Sequence, residues 1–179
     1  MTNEFLIAGF GGQGILFAGK LLAYIGLIGG NEVSWLPSYG PAMRGGTCNC
    51  SVCISDKQIG SPLVLSPDTL IVMNAPSYDK FIGDVKSGGS VFVDSSLIEI
   101  EADGDIPNVN RYSIEATKLA HDNGLKGMAN IIMLGKLIKE TKIADLETVR
   151  KAVEKSVPAN KTHLIEANMK AIEIGMTDD

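Results

Sequence analysis

The chain has 179 residues, of which 45% are hydrophobic, and its 16 basic and 21 acidic residues give a net charge of −5. This length and apolar content predict one folded domain over residues 1–179 and exclude a disordered chain. The acidic balance argues against nucleic acid as the main partner, because phosphate binding needs a basic surface.

The N-terminus and the apolar segments predict a cytoplasmic protein without a membrane span. Residues 1–4 carry an acid where a signal peptide has Lys or Arg. The longest apolar stretch, residues 21–28, is too short to cross a bilayer. Three cysteines, an odd number, argue against a disulfide framework.

Strand and helix patterns alternate through the first half of the chain. Residues 5–8 form a short apolar run ending at glycine, which is typical of a buried strand. Apolar residues at helical spacing predict a helix from Ile15 to about Gly29. A strand at 32–36 follows, then a loop rich in Gly, Pro and Ser at 37–46. Residues 47–54 alternate as another strand, and a polar turn predicts that this strand forms a hairpin with residues 59–65.

The second half of the chain predicts further strands and a helical C-terminal third. Asp145 is a candidate N-cap for a helix that buries Leu146, Val149 and Val153, and Gly175 is a candidate C-cap. The complete pattern predicts an α/β fold with a largely parallel, mixed sheet flanked by helices. The further strands are predicted at 70–73, 91–93 and 108–113, and the helices at 78–86, 115–121, 129–141, from 145 onward and 162–174.

A glycine loop at residues 9–14, Gly-Phe-Gly-Gly-Gln-Gly, satisfies the dinucleotide fingerprint between a strand and a helix. The acid that binds a ribose belongs at the C-terminal end of the second strand. Glu32 instead opens that strand, and its C-terminal end holds Leu36 and Pro37. These positions favour a tight turn that packs against something else, such as another subunit, over a bound dinucleotide.

A second loop presents Arg44 between glycines, with little side-chain bulk around it. Such an arginine can form two parallel hydrogen bonds to a carboxylate or a phosphate. In a parallel sheet this loop lies at the same C-terminal edge as the glycine loop, so the two loops predict a site or an interface there. A solvated arginine on an exposed loop is the alternative.

The two loops together resemble those of the gamma subunit, or domain III, of the 2-oxoacid:ferredoxin oxidoreductases. The matching segments are Gly-Phe-Gly-Gly-Gln-Gly-Ile at residues 9–15 and Ser-Tyr-Gly-Pro-x-x-Arg-Gly-Gly-Thr at residues 38–47. Two positions depart from the family, because Ala42 stands where Glu is usual and Cys48 where a small residue is usual. Further similar residues along the chain are 59–62, Pro67, Asp68, Asn130, Leu134, Gly135, Asn168 and Gly175.

The resemblance implies a subunit of a complex that oxidatively decarboxylates a 2-oxoacid to an acyl-CoA and passes electrons to ferredoxin or a similar acceptor. It implies alpha and beta subunits that hold thiamine diphosphate and Mg²⁺, a ferredoxin-like delta subunit with iron–sulfur clusters, and CoA as co-substrate. The 2-oxoglutarate enzymes are the most similar, followed by the branched-chain ones. The residues implied to border the active-site and CoA region, or a subunit interface, are Gly11, Gly12, Gln13, Gly14, Ser38, Tyr39, Gly40, Pro41, Arg44, Gly45 and Gly46.

This chain is not predicted to bind a cofactor or a metal alone. The Gly-Asp-Gly motif of a thiamine diphosphate site is absent from the sequence. Cys48, Cys50 and Cys53 form C-x-C-x-x-C, but alternation along a strand places Cys53 opposite the other two. No four-cysteine run is present for an iron–sulfur cluster.

No catalytic residue is predicted either. His121 and His163 both lie on predicted helices without a nearby catalytic partner. Two other function classes stay open, a free-standing Rossmann-type nucleotide-binding protein and a scaffold without active-site contact. A subunit of an oxidoreductase complex is favoured over both, because two loops match rather than one.

Overall fold

The computed structural model of the chain describes residues 1–38, 47–99 and 108–178. Within these residues six strands form one sheet in the order β2-β3-β1-β4-β5-β6. Four of them, β1, β4, β5 and β6, are parallel, and β3 runs antiparallel to both β1 and β2. The strands are β1 (Thr2–Phe10), β2 (Glu32–Ser38), β3 (Thr47–Ser55), β4 (Thr69–Val72), β5 (Ser90–Asp94) and β6 (Asn110–Ile114).

The helices cover the two faces of the sheet unequally. Five of the six α-helices in the described residues lie on one side of the sheet, here called the helical face, and share one core with Phe5, Ile7, Ile71 and Phe92. The other face, here called the α2 face, buries β-strand residues against α2. The mixed sheet flanked by helices confirms the predicted fold class. The helices are α1 (Ile15–Ile28), α2 (Ala75–Phe81), α3 (Ala116–Asp122), α4 (Ala129–Thr141), α5 (Leu146–Ser156) and α6 (Leu164–Thr177).

The predicted hairpin between residues 47–54 and 59–65 is wrong. Both edges of β3 are occupied, one by β1 and the other by β2, so no edge is free for a third strand. Residues 56–68 instead cross the α2 face without forming a strand. The Val64 N–H bonds to the Ser51 hydroxyl over 3.4 Å, which fixes this segment on the sheet.

Three helix predictions also need correction, at residues 78–86, at Leu146 and at Gly175. The helix predicted at 78–86 corresponds to α2. This helix begins at Ala75, because the Asn74 side chain accepts the Ser77 N–H, and it ends at Phe81 before a short 3₁₀ turn. Leu146 is 45% exposed, so it lies outside the buried stripe of α5. Asp145 does cap α5, by accepting the Thr148 N–H over 2.8 Å.

Gly175 lies inside α6 and is not a C-cap. A Cβ atom at Gly175 would collide with the Ile132 carbonyl oxygen of α4, and one at Gly135 would collide with the Ile172 carbonyl oxygen of α6. The two glycines therefore let the backbones of α4 and α6 approach each other closely. None of the helices in the described residues is long and apolar enough to cross a membrane.

A glycine-rich edge of the sheet as candidate functional site

The chain changes direction between two neighbouring parallel strands, β1 and β4. After β1 it enters α1 on the helical face and moves toward β2, whereas after β4 it enters α2 on the other face and moves toward β5. In open α/β sheets, ligands bind at such a switch point, outside the carboxyl ends of the strands. We call this edge, with the loop at residues 11–14, the glycine edge.

The glycine loop depends on backbone conformations that favour glycine. Gly12 and Gly14 have φ angles of 98° and 73°. Gly14 is also the N-cap of α1, and the Asn130 Nδ2 group donates to its carbonyl oxygen over 2.9 Å. A Cβ atom at Gly14 would lie 2.5 Å from that Nδ2 atom. Glycine is therefore required at this position for two independent reasons.

The side chain of Gln13 joins the ends of β1 and β4 directly. Its Oε1 atom accepts the Phe10 N–H over 2.6 Å, and its Nε2 group donates to the Met73 carbonyl oxygen over 2.8 Å. The Gln13 N–H also donates to the Phe10 carbonyl oxygen over 3.2 Å. The Gln13 side chain thus lies across the crevice between the strands, where a dinucleotide fold would place a pyrophosphate.

The register of the sheet places Glu32 far from this edge. Glu32 pairs with Ser55, which pairs with Thr2 at the start of β1, so Glu32 lies at the opposite edge, as predicted. Ser38, at the end of β2, lies at the same edge as the glycine loop. The other predicted members of the second loop, Tyr39, Gly40, Pro41, Arg44, Gly45 and Gly46, lie outside the described residues.

A cavity of about 550 Å³ opens at the glycine edge. Its walls include Gln13, Met73 at the end of β4, His121 of α3, and the loop residues Lys126 and Gly127. The His121 side chain is 89% exposed, and its Nδ1 atom lies 3.3 Å from the Asp122 carboxylate. This cavity has the size of a ligand site, but its described walls bring no catalytic pair together.

A second cavity, of about 330 Å³, lies on the other side of the glycine loop and shares Gly127 with the first. It is bounded by the N-terminal ends of α1 and α4 and by the connection between α5 and α6. Among the described residues, the walls of both cavities contain no acidic side chain. His163 lies at the N-cap of α6 and is not in either wall.

The three cysteines are separated by the sheet, as the strand alternation predicts. Cys48 and Cys50 are in the core on the helical face. Cys53 points to the α2 face, where its thiol donates to the Ser61 carbonyl oxygen over 3.9 Å. Burial raises the pKa of Cys50 to about 12, so its thiol stays protonated. Among the described residues, no group of three or more His, Cys, Asp or Glu side chains could hold a metal ion.

A model of the pyruvate ferredoxin/flavodoxin oxidoreductase family matches residues 4–177. The chain belongs to this family. The 2-oxoglutarate synthase subunit KorC of Methanocaldococcus jannaschii is 39% identical over 160 residues, which cover 88% of this chain and 85% of that protein. The ketoisovalerate oxidoreductase subunit VorA of Methanothermobacter marburgensis is 38% identical over 170 residues, which cover 94% of this chain. This chain spans only 35% of the length of that VorA protein.

Within the family, the keto/oxoacid ferredoxin oxidoreductase gamma subunit of Geobacter sulfurreducens has a similar solved structure. The two chains superpose with a TM-score of 0.81 at 31% identity, and the match covers 97% of this chain and 96% of that one. The resemblance drawn from the two loops is thereby confirmed.

Sequence reasoning missed the residues that complete the glycine edge. Asn130 was noted only as a family similarity, yet it contacts Gly14, which lies 116 positions away in the sequence. Thr117, Lys126 and Gly127 were not singled out, although they line the larger cavity. The sequence contains a signal for this part of the site, because Gly124 and Gly127 flank Lys126 just before the helix predicted at 129–141. That this loop meets the glycine loop follows from the packing of α4 beside the start of α1.

Proposed function

We propose that this chain is the gamma subunit of a complex that oxidatively decarboxylates a 2-oxoacid, with 2-oxoglutarate as the preferred substrate. The reaction joins the acyl group to the thiol of CoA, releases CO₂, and passes two electrons to ferredoxin or a similar acceptor. The observation that carries the proposal is the family match over residues 4–177, because it includes both loops and the helical third.

The preference for 2-oxoglutarate has a specific basis. The KorC relative is a 2-oxoglutarate synthase subunit and is matched over 85% of its own length. The VorA relative has nearly the same identity but is a much longer protein. Four relatives with the KorC name, at 32–39% identity, support 2-oxoglutarate over pyruvate, whose PorC relative is 28% identical.

Within residues 1–38, 47–99 and 108–178, the lack of a catalytic pair in either cavity supports a role that depends on partners. The cavities at the glycine edge hold lysines, a histidine and glycines, but the described residues bring no nucleophile and base together there. Thiamine diphosphate, Mg²⁺ and the iron–sulfur clusters are accordingly assigned to alpha, beta and delta subunits. They would supply the carbanion chemistry and the electron path.

The glycine edge is the surface that we assign to the active-site and CoA region or to the neighbouring subunit. Backbone without side chains permits close approach at Gly11, Gly12 and Gly14. Arg44 would bind an anionic group of CoA, of the substrate or of a partner, through its planar guanidinium. Gln13 would hold the loop in place by its bonds to β1 and β4.

The alternative of a free-standing dinucleotide-binding protein is not favoured. Gln13 spans the crevice where the pyrophosphate would lie, and Glu32 is at the opposite edge of the sheet. The same geometry leads us to expect no micromolar binding of NAD(H) or thiamine diphosphate by the isolated chain. Calorimetry with both ligands tests that expectation.

Purification of the native complex through a tag on this chain tests the proposal. We expect co-purification with subunits that contain thiamine diphosphate and iron–sulfur clusters. With CoA and an electron acceptor, a panel of 2-oxoacids should give the highest kcat/KM for 2-oxoglutarate. A higher kcat/KM for pyruvate or a branched-chain 2-oxoacid would refute the substrate assignment, and recovery of the tagged chain alone would refute the subunit role.

A further inference from the structure

We propose that a cavity on the α2 face docks a partner polypeptide, the counterpart of the one that is joined to the matching domain in the VorA relative. The cavity has a volume of about 490 Å³ and lies between the end of β2, residues 63–65 and the short 3₁₀ turn that follows α2. Its three exposed leucines, Leu36, Leu63 and Leu65, are here called the leucine rim. The inference rests on the proposed function, because the docked polypeptide is a further part of the same complex.

The sheet holds the leucine rim at the surface. Val64 is buried and its N–H bonds to the Ser51 hydroxyl of β3, yet its two neighbours, Leu63 and Leu65, are 53% and 72% exposed. Leu36 pairs with Ser51 across β2 and β3 and is 38% exposed in the same wall. Scattered exposed leucines are ordinary, but three around one cavity form an apolar patch of the kind that marks an interface.

The segment that carries Leu63 and Leu65 is fixed where it leaves the cavity. The Pro67 carbonyl oxygen accepts the Lys86 N–H over 3.0 Å, and the next N–H, at residue 68, donates to the Glu4 carbonyl oxygen over 2.8 Å. Prolines at positions 62 and 67 restrict the backbone further. A partner therefore meets leucines that are already in place, so binding costs little conformational entropy.

The charge of the wall indicates what the partner carries. Asp84 is the one charged side chain in the described wall, where it is exposed and forms no ion pair with the described residues. The other polar side chains of this wall, those of Ser38, Asn49 and Ser51, are uncharged. The surface therefore fits a segment with apolar side chains for the leucine rim and a Lys or Arg for Asp84.

The VorA relative supplies the argument for a polypeptide partner. The match covers only 35% of that protein, so most of its length accompanies the matching domain. In this chain the helical face is already covered by five helices, whereas the leucine rim is exposed on the other face. The leucine rim is therefore available to the counterpart of that additional polypeptide.

A second copy of this chain fits the surface less well. In a symmetric dimer the same patch faces itself. Two Asp84 carboxylates would then approach each other without a base in the described wall. Like charges across an interface oppose association, so the cavity is assigned to the partner polypeptide.

Site-specific photo-crosslinking in the native complex tests the assignment. With p-benzoylphenylalanine in place of Leu65, irradiation should link the tagged chain to a partner subunit. Mass spectrometry should map the link to an apolar segment with a Lys or Arg nearby. The matched control carries the same group in place of Leu146, which is 45% exposed on α5, and should not reach that segment.

Substitutions measure what the contact contributes. Leu65→Asp should weaken binding of the chain to the remaining subunits about 10- to 100-fold, because it replaces an apolar contact with a second acid in the same wall as Asp84. Leu146→Asp makes the same change on α5 and should leave binding unchanged, and thermal unfolding of both isolated variants checks that the fold is intact. Asp84→Asn should weaken binding about two- to tenfold at low salt, whereas Glu154→Gln, at an exposed position of α5, should not.

The results that would overturn the inference differ from failure of the proposed function. An intact complex in which the group at residue 65 links to nothing, or only to a second copy of this chain, would remove the partner polypeptide from this cavity. Equal binding by Leu65→Asp and Leu146→Asp would remove the role of the leucine rim, and equal binding by Asp84→Asn and Glu154→Gln would remove the charged contact. Recovery of the tagged chain alone would instead refute the subunit role, and this inference with it.

Discussion

At the residue scale, Gln13 shows how one side chain can define a loop. A glutamine is needed because one end accepts the Phe10 N–H and the other donates to the Met73 carbonyl oxygen. A carboxylate of the same shape could make only the first of these bonds. The side chain of Gln13, within the glycine loop, therefore links the ends of β1 and β4 in this chain.

The change Gln13→Glu tests this link. We expect a loss of about 1–3 kcal/mol in the free energy of unfolding at pH 7, because a carboxylate oxygen would face the Met73 carbonyl. This contact raises the pKa of the introduced carboxyl, so stability should recover as the pH falls from 7 towards 4 and the carboxyl gains a donor. Urea unfolding at both pH values measures this.

The matched control is Gln58→Glu, which makes the same chemical change at an exposed position. We expect it to alter the free energy of unfolding little at either pH. An equal loss for Gln13→Glu at pH 7 and pH 4 would contradict the hydrogen bond to Met73.

Arg44 is the second residue with a role in the proposed function, because it would bind an anionic group. Arg44→Ala should leave the isolated fold nearly intact. In the reconstituted complex we expect turnover or assembly to fall about 10- to 100-fold, as for the loss of a two-point charged contact. Arg44→Lys should restore only part of this, because lysine lacks the planar fork.

Subunit co-elution and CoA-dependent turnover are the two measurements for Arg44. Arg150→Ala is the control, because Arg150 pairs with Glu166 on the surface of α5 and α6. We expect that control to behave like wild type in both. Wild-type behaviour of Arg44→Ala as well would leave Arg44 as an ordinary solvated side chain.

At the element scale, the crossing of α4 and α6 fixes the helical third of the chain. Gly135 and Gly175 face each other there, and added Cβ atoms would strike backbone carbonyl oxygens that cannot move independently. Gly175→Ala should therefore destabilise the fold by about 3 kcal/mol or more. Thermal or urea unfolding measures this loss.

Gly83→Ala is the control for that prediction, since a Cβ atom there meets nothing within 4 Å. We expect it to change stability by less than about 1 kcal/mol. A similarly small effect of Gly175→Ala would indicate that the helices do not cross as described.

A second contact between elements ties the start of β1 to the segments that flank β4. Lys86 donates to Glu4 over 2.7 Å and to Asp68 over 2.9 Å. These hydrogen bonds to Glu4 and Asp68 hold the pKa of Lys86 above its ordinary value of 10.5. Because the raised pKa belongs to the folded state, the two contacts stabilise the fold fully at pH values below 10.5, the pKa of the unfolded lysine. This stabilisation is lost as the pH rises through the higher pKa of Lys86 in the folded state.

Lys86→Met should cost no more than about 1 kcal/mol at pH 7, because the lysine side chain is 41% exposed and water screens the ion pairs. The difference in unfolding free energy between wild type and variant should begin to narrow as the pH rises past the ordinary lysine pKa of 10.5, and should be smaller at pH 11 than at pH 9. Denaturant unfolding at pH 7, 9 and 11 measures it. A difference that stays constant to pH 11 would assign the loss to the lysine's alkyl chain and not to its charge.

At the scale of the whole molecule, periodicity and caps could predict most elements but not every pairing. The N-cap at Asp145 and the strand alternation around Cys50 are local, so the sequence shows them. The partners of β3 are not local. They are decided by which edges are already occupied, and that depends on the complete sheet order.

The candidate site was predictable to a similar extent. Its glycine loop and its place at the strand ends follow from the chain order of strands and helices. The contact of Asn130 with Gly14 does not, because it depends on the packing of α4 against the start of α1. Likewise, Gly175 follows a helical pattern and thus suggests a C-cap, although the approach of α4 is what requires it.

We propose that this chain has no activity alone but is necessary for turnover by a 2-oxoacid oxidoreductase complex. The most direct measurement is CoA-dependent reduction of an electron acceptor with 2-oxoglutarate, by the other subunits without this chain and after its addition in equal molar amount. We predict little or no turnover before addition, none from the chain alone, and restored turnover afterwards. Full turnover without the chain, or turnover by the chain alone, would contradict the account.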